Sequence, residues 1–295
     1  MAVQNWKFQT AASDEGLRLD QLVALRTGLS RRKAREVLKL GGVQVDRKRV
    51  RVAGKLVPAG SEVRVALDDA LSAVPELELD VIFEDDWLLV LNKPAGLPTQ
   101  GTQASDRHDV LALVTRKRPE AKLILCHRLD QGTSGVLVLA KDPKGNLGTH
   151  FQERTLKKVY MARIPGPLEA CVVELPIGRL PLSRPSRFGC EGELLEPKLS
   201  CTRFRPASAE EASGLVPGHW VVAEPETGRT HQIRVHLASL GRPVVGDGLY
   251  GGAPSDQLWL HAWKLSLVHP VTGQALELVA PPLRFGQAIP GAEPA

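Results

Sequence analysis

The sequence predicts an α+β protein, mixed and mainly antiparallel in its larger part, preceded by a small N-terminal α/β unit. Three observations carry that expectation. Beyond residue 79, short strand-like runs are separated by turn signals, with few long helices between them. Before it, the pattern is two helices followed by a small sheet. The charge divides at the same place: residues 1–66 carry fourteen Lys and Arg against six Asp and Glu, a balance of +8. The whole chain is +5, so the remainder is −3.

In order along the chain, "LRLDQLVALRT" (17–27) sets Leu17, Leu19, Leu22, Val23 and Leu25 at mostly helical spacing, and Gly28 stops the helix. Ser30 is placed to cap the next helix, "RRKAREVLKL", in which Ala34, Val37, Leu38 and Leu40 can face a core while Arg31, Arg32, Lys33, Arg35 and Lys39 project elsewhere. The glycines at 41 and 42 end it. "VQVDRKRVRV" alternates like a strand with a basic turn, and "GSEVRVAL" closes the unit as another strand. Residues 67–78 are acidic and proline-interrupted, as in a linker. After them "VIFEDDWLLVLNKPAG", "GVLVLAK", "KKVYMARIPG" and "HWVVAEP" read as strands, with one helix around "NLGTHFQERT". "GVLVLA" is short, apolar and uncharged, the pattern of a buried strand. The tail, 286–295, is expected to be disordered.

Composition narrows the function classes. A chain of 295 residues, 43% hydrophobic and 24% charged, fits a soluble globular protein. No apolar run approaches the roughly eighteen residues of a membrane span. The N-terminus lacks the basic start and apolar core of a secretory signal. Four scattered cysteines, none in a CxxC pair, suggest neither zinc nor disulfides and fit a reducing, cytoplasmic setting. A basic unit joined to a slightly acidic one suggests a nucleic-acid handle on a second module, although a charge surplus also arises on any solvated face.

The stretch "CHRLDQGTSGVLVLAKD" (126–142) sets His127, Arg128 and Asp130 at the mouth of that buried strand, where a charge must be paired or used. Read alone, Asp130 could be a turn or capping aspartate. However, "LLVLNKPAGLPT", "HRLDQGTSGVLVLAK", "KKVYMARI" and "GRTHQIRVHLASLGRPVVGDGLYG" follow one another in a recognisable order, with "LHAWKLSLVHPVTG" after them. Together they resemble the RluA-type pseudouridine synthases over residues 79–285. "SRRKAREVLKLGGVQVD" is similar to the RNA-binding domain of the ribosomal-protein S-four type, over residues 15–66.

The resemblance implies an isomerase that converts uridine to pseudouridine in RNA. It implies no metal and no small-molecule cofactor. In this family the S-four-type appendage accompanies enzymes of large-subunit (23S) ribosomal RNA, so that RNA or an assembly intermediate is the expected partner of a cytoplasmic monomer. Transfer RNA, or a catalytically silent ribosome-assembly factor, is the alternative. A carboxylate-dependent nucleosidase would instead release free uracil.

By the family pattern Asp130 is the catalytic carboxylate, whether it attacks the base or the ribose carbon. Arg234, in "HQIRVH", is its cationic partner, and Tyr160, in "KKVYMAR", stacks on the target base and can assist proton removal. Without the motifs, Arg234 would read as a surface arginine on an alternating strand and Tyr160 as a core tyrosine. Arg128 is a candidate to enter the RNA stack where the uridine leaves or to contact a phosphate, with a structural salt bridge as the plain alternative. Arg31, Arg32, Lys33, Arg35, Arg47, Lys48 and Arg49 are candidates for phosphate contacts. His231 and His236, five apart in a strand-like stretch, fall on opposite faces and cannot share a metal ion. The chain departs from the family at Gln131 and Gly132, where many members carry a charged pair. It departs again in "PTQGTQASDRHDVLALV", which lacks the usual His and Gly-Thr-Leu pattern.

Overall fold

A computed structural model describes residues 3–69, 71, 78, 80–153, 155–181, 183 and 186–282. The expected tail and most of the expected linker lie outside them. The described residues form two compact units: one is 3–71 with Pro98–Lys117, the other 78–97 with the residues from Arg118 onward.

In the first unit, α1 (Leu19–Thr27) and α2 (Arg31–Leu40) end at Gly28 and Gly41, both left-handed. Ser30 Oγ accepts the Lys33 N–H at 3.2 Å, capping α2 as its sequence requires. The strands are β1 (Gln4–Gln9), β2 (Val43–Val45), β3 (Lys48–Arg49) and β4 (Glu62–Leu67), in the antiparallel order β1-β4-β2-β3. Leu19, Leu22, Val37, Leu38, Val63 and Val65 fill the space between helices and sheet. Strand β1 lies ahead of the expected start at residue 15. Its apolar signal is only Trp6 and Phe8, both half-buried. Asp46 and Arg47, at φ 49° and 66°, make the tight turn between β2 and β3, a left-handed pair that usually favours glycine.

Pro98–Lys117 completes this unit. Its helix α3 (Val110–Lys117) buries Val110, Leu113 and Val114. Arg51 pairs with Asp106, and Arg49 donates to the carbonyls of Gly41 and Thr102. Neither α3 nor this attachment is expected from the sequence.

The second unit is built on a sheet comprising β5 (Asp80–Glu84), β6 (Leu88–Lys93), β7 (Ile124–Leu125), β8 (Ser134–Ala140), β9 (Lys157–Ile164), β10 (Cys171–Glu174), β14 (Cys201–Pro206), β15 (His219–Pro225), β16 (Leu260–Val268) and β17 (Ala275–Val279). The order is β10-β14-β15-β9-β16-β8-β6-β5, with β17 beside β16 and β7 beside β8. Among the described residues only the β8–β16 pairing is parallel, so the sheet is mixed and mainly antiparallel. A small second sheet pairs β12 (Phe188–Gly189), β11 (Ile177–Arg179) and β13 (Leu195–Lys198). Helix α4 (Gly148–Glu153) falls where "NLGTHFQERT" predicts it.

The structure corrects one element. "HQIRVH" is not a strand; Gln232–Ser239 form a helix, α5. The apolar residues Ile233, Val235 and Leu237 alternate, which mimics a strand. In fact Gln232, Ile233, Val235, His236 and Leu237 are all buried, so no solvent face exists to mark helical periodicity. Gln232 fixes the helix start from inside. Its Oε1 accepts from Arg229 N and Thr227 Oγ1, and its Nε2 donates to Cys201 O and Thr202 Oγ1.

Candidate active site

The sheet register brings the candidate residues together. On adjacent strands Gly135 of β8 lies opposite Ala262 of β16, and Ala262 lies opposite Tyr160 of β9. Gly135 makes that approach possible: at φ 109° a Cβ there would stand 2.2 Å from the Ala262 carbonyl oxygen. Asp130 sits in the turn feeding β8, where its own carbonyl accepts the Thr133 N–H at 3.1 Å.

Helix α5 supplies the cation. Arg234 Nη1 donates to Asp130 Oδ2 at 3.2 Å. Arg234 itself is held by the fully buried Asp247, which accepts from Nε at 2.7 Å and Nη2 at 2.9 Å. Asp247 Oδ1 also accepts the backbone N–H of Leu249 and Tyr250, and the Tyr250 ring lies under the guanidinium at 5.1 Å. Burial disfavours the Arg234 charge, but the hydrogen bonds and charges of Asp247 and Asp130 outweigh it and raise its pKa. The arginine is thus a fixed cation, clamped at one end and aimed at Asp130 with the other.

Burial pushes the Tyr160 phenol up, and the Asp130 charge adds to that, so Tyr160 enters the site as a neutral phenol. Arg128 is exposed beside the site.

Sequence reasoning missed two groups, although both lie inside motifs it quoted. Lys93, in "LNKPAG", is fully buried and donates to the carbonyls of Pro94, Leu97 and Gln131 at 2.9, 2.6 and 3.1 Å. Desolvation pulls its pKa down to about 7, with Asp130 opposing. Three carbonyls match the three N–H bonds of an ammonium, so the geometry is built around the charged form. Its bond to the Gln131 carbonyl braces the turn next to Asp130. The second group is Asp247, in "VVGDGLYG". Their signal is a charge within an otherwise apolar or glycine-rich run.

His127, His231 and His236 each have separate partners. His127 stacks on Phe151 at 4.4 Å and accepts the Val138 N–H, and burial with the Lys158 charge pushes its pKa down to about 3. His236 is buried between Ser200 and Thr202. His231 Nδ1 meets the Tyr250 hydroxyl at 2.8 Å, and its Nε2 is 3.8 Å from Asp130 Oδ2. His231 precedes a helix and His236 is within it, so the opposite-faces-of-a-strand argument against a shared metal does not apply; their separate partners are the physical reason they do not converge.

Of the candidate RNA contacts, Arg47 and Lys48 are exposed, and Arg32 is exposed with Glu36 as its ion-pair partner. Lys33 pairs with Glu36 and Asp69. Arg31 and Arg35, with Arg18, converge on buried Asp20. Arg49 is committed to the fold, to Gly41 and Thr102. The ion pairs of Arg31 and Arg35 with Asp20 join residues 11 and 15 apart, which the sequence pattern does not reveal.

A family profile described as RNA pseudouridylate synthase matches residues 87–239, and the S4 domain profile matches residues 17–63. The chain is 35% identical to ribosomal large subunit pseudouridine synthase C of Pasteurella multocida, over 93% of this chain and 90% of that protein. It is 34% identical to ribosomal large subunit pseudouridine synthase D of Nitrosomonas europaea, over 88% and 80%. Among solved structures, human RNA pseudouridylate synthase domain containing 1 aligns with a TM-score of 0.57 at 28% identity, over 71% of this chain and 85% of that one. The chain belongs to the RNA pseudouridylate synthase family, as the motifs of the RluA type suggested. It is an isomerase acting on RNA, converting uridine to pseudouridine. Among the described residues no helix is long and apolar enough to cross a membrane.

Proposed function

We propose that this synthase modifies large-subunit ribosomal RNA and that Asp130 is its reacting carboxylate, with Arg234 as charge partner and Tyr160 stacked on the uracil. The observation that carries the site assignment is the clamp: Arg234, fixed by Asp247, still reaches Asp130 Oδ2 at 3.2 Å. The reaction breaks the C1′–N1 bond of uridine, turns the base and forms C1′–C5. C5 loses a proton and N1 gains one, so the balance calls for no oxidant, reductant or nucleotide. A carboxylate suffices by covalent catalysis. The neutral phenol of Tyr160 fits stacking better than proton abstraction.

The rRNA target is supported by the names of the bacterial relatives. The basic N-terminal unit docks the RNA through Arg32, Arg47 and Lys48, and Arg128 fills the gap left by the flipped base. In this reading the enzyme works as a cytoplasmic monomer without a cofactor. The test is a pseudouridine map of total RNA with and without the gene, beside assays of purified wild type and Asp130→Asn. Missing pseudouridine in large-subunit rRNA is the expected result, with the Asn variant slower by roughly a thousandfold or more. Loss confined to transfer RNA would overturn the target, and an Asn variant within about tenfold of wild type would overturn the carboxylate's role.

A further inference from the structure

Around Asp130 the two carboxylate oxygens are not equivalent. Arg234 Nη1 and His231 Nε2 both face Oδ2, at 3.2 and 3.8 Å, and no side chain among the described residues hydrogen-bonds to Oδ1. At φ 57° and ψ 20° His231 is left-handed, an uncommon conformation for a residue other than glycine.

The tautomer follows from the hydrogen bonds around the ring. The Tyr250 hydroxyl oxygen accepts the Phe188 N–H at 3.2 Å, and its own proton has His231 Nδ1 within reach at 2.8 Å. Assigned on that network, Nδ1 is the acceptor and the ring proton sits on Nε2, the nitrogen that faces Asp130. Phe188 packs edge-on against the imidazole at 5.8 Å, and the Tyr250 ring stands nearly perpendicular to it at 5.6 Å. The ring is fixed in orientation by neighbours that have no other evident need of a histidine.

We propose that His231 is a positioning residue for the isomerisation: its Nε2–H and Arg234 together hold Oδ2, which leaves Oδ1 as the oxygen that reacts. The inference rests on Asp130 being the reacting carboxylate and assigns a task to each of its oxygens. At 3.8 Å the N–H stops short of a hydrogen bond, and a small shift on substrate binding closes it, so His231 restrains the carboxylate in the bound complex. A carboxylate held by Arg234 alone would keep the freedom to turn about its final torsion.

Two substitutions separate this from a packing role. His231→Gln carries an amide N–H to about the position of Nε2. His231→Asn stops near Nδ1, can keep the Tyr250 contact and tolerates the left-handed backbone, but offers nothing to Asp130. The Asn variant should lose kcat on the order of tenfold to a hundredfold at unchanged KM for RNA and with no loss of melting temperature. The Gln variant should recover most of that kcat. Tyr250→Phe, which frees the tautomer while leaving Nε2 in place, should give a smaller loss of kcat. An Asn variant as fast as wild type would overturn the proposal. So would equal loss in Asn and Gln, a change confined to KM, or an unaffected Tyr250→Phe enzyme. Asp130→Asn is assayed in parallel. If it stays active the reading of Asp130 fails, whereas a dead Asp130→Asn beside a fully active His231→Asn defeats this inference alone.

Discussion

Asp20 and Asp130 are both aspartates met by arginine, one in each unit, and they are provided for very differently. Asp20 is fully buried at the start of α1, with Arg18 on Oδ1 and Arg31 and Arg35 on Oδ2, at 3.2, 3.1 and 2.6 Å. Burial pushes its pKa up, but hydrogen bonds from Arg35, Arg31 and Arg18 outweigh it and hold the carboxyl at about 2. Asp130 is 30% exposed and has one arginine on one oxygen, and that arginine is shared with Asp247. A carboxylate with both oxygens engaged by buried ion pairs holds structure together. One with an oxygen to spare can do chemistry.

The sharpest way to break this comparison is to disturb the clamp that keeps Asp130 half-served. Asp247→Asn removes the charge that pins Arg234, so kcat should fall on the order of tenfold to a hundredfold while RNA affinity holds. Single-turnover assays at saturating RNA measure it, and an unchanged rate would mean Arg234 needs no anchor. At Asp20 the effects should be reversed. Asp20→Ala strands three arginine side chains around an emptied buried site, so the variant should lose about 2 kcal/mol in urea unfolding and keep its kcat.

Acid should report on Asp20 by a smaller margin. Asp20 has a folded pKa below its unfolded value, so its contribution is fully present above about pH 4 and is lost as pH falls toward 2. With its arginines about half exposed, solvent screening limits that contribution to about 1 kcal/mol. Comparing wild type and Asp20→Asn across that window isolates it, and parallel curves would deny Asp20 any linkage. The smallest effect concerns free cations. Arg47→Ala with Lys48→Ala should flatten the salt dependence of RNA binding by roughly 1.5 units of slope and leave turnover at saturation alone.

These contrasts also mark what a sequence shows and what it hides. Ser30, Gly28 and Gly41 act on neighbours within four residues, so the two N-terminal helices were legible, as was β8, whose apolar run reports burial on both faces. Helix α5 was not, because a short helix buried nearly all round shows no face. That Arg234 meets Asp130 was legible only through the motifs that contain them. Lys93 and the Arg234–Asp247 clamp went unremarked because their meaning lies in partners up to 38 residues away. Arg31 and Arg35 show the same limit, since their shared carboxylate, Asp20, lies 11 and 15 residues away.

The membership of Pro98–Lys117 in the N-terminal unit bears on how the chain is made. The chain leaves that unit, runs through 78–97 in the other, returns for 98–117 and departs again at Arg118. During synthesis the RNA-docking unit therefore cannot finish folding when residue 71 emerges. Its last helix, with Val110, Leu113 and Val114, arrives only after β5 and β6 have been made. Cutting the gene between residues 71 and 80 would separate neither unit cleanly, since the downstream piece would keep Pro98–Lys117 without Arg49 and Arg51, which tie it to the first unit. The two units share a history even where they divide the work.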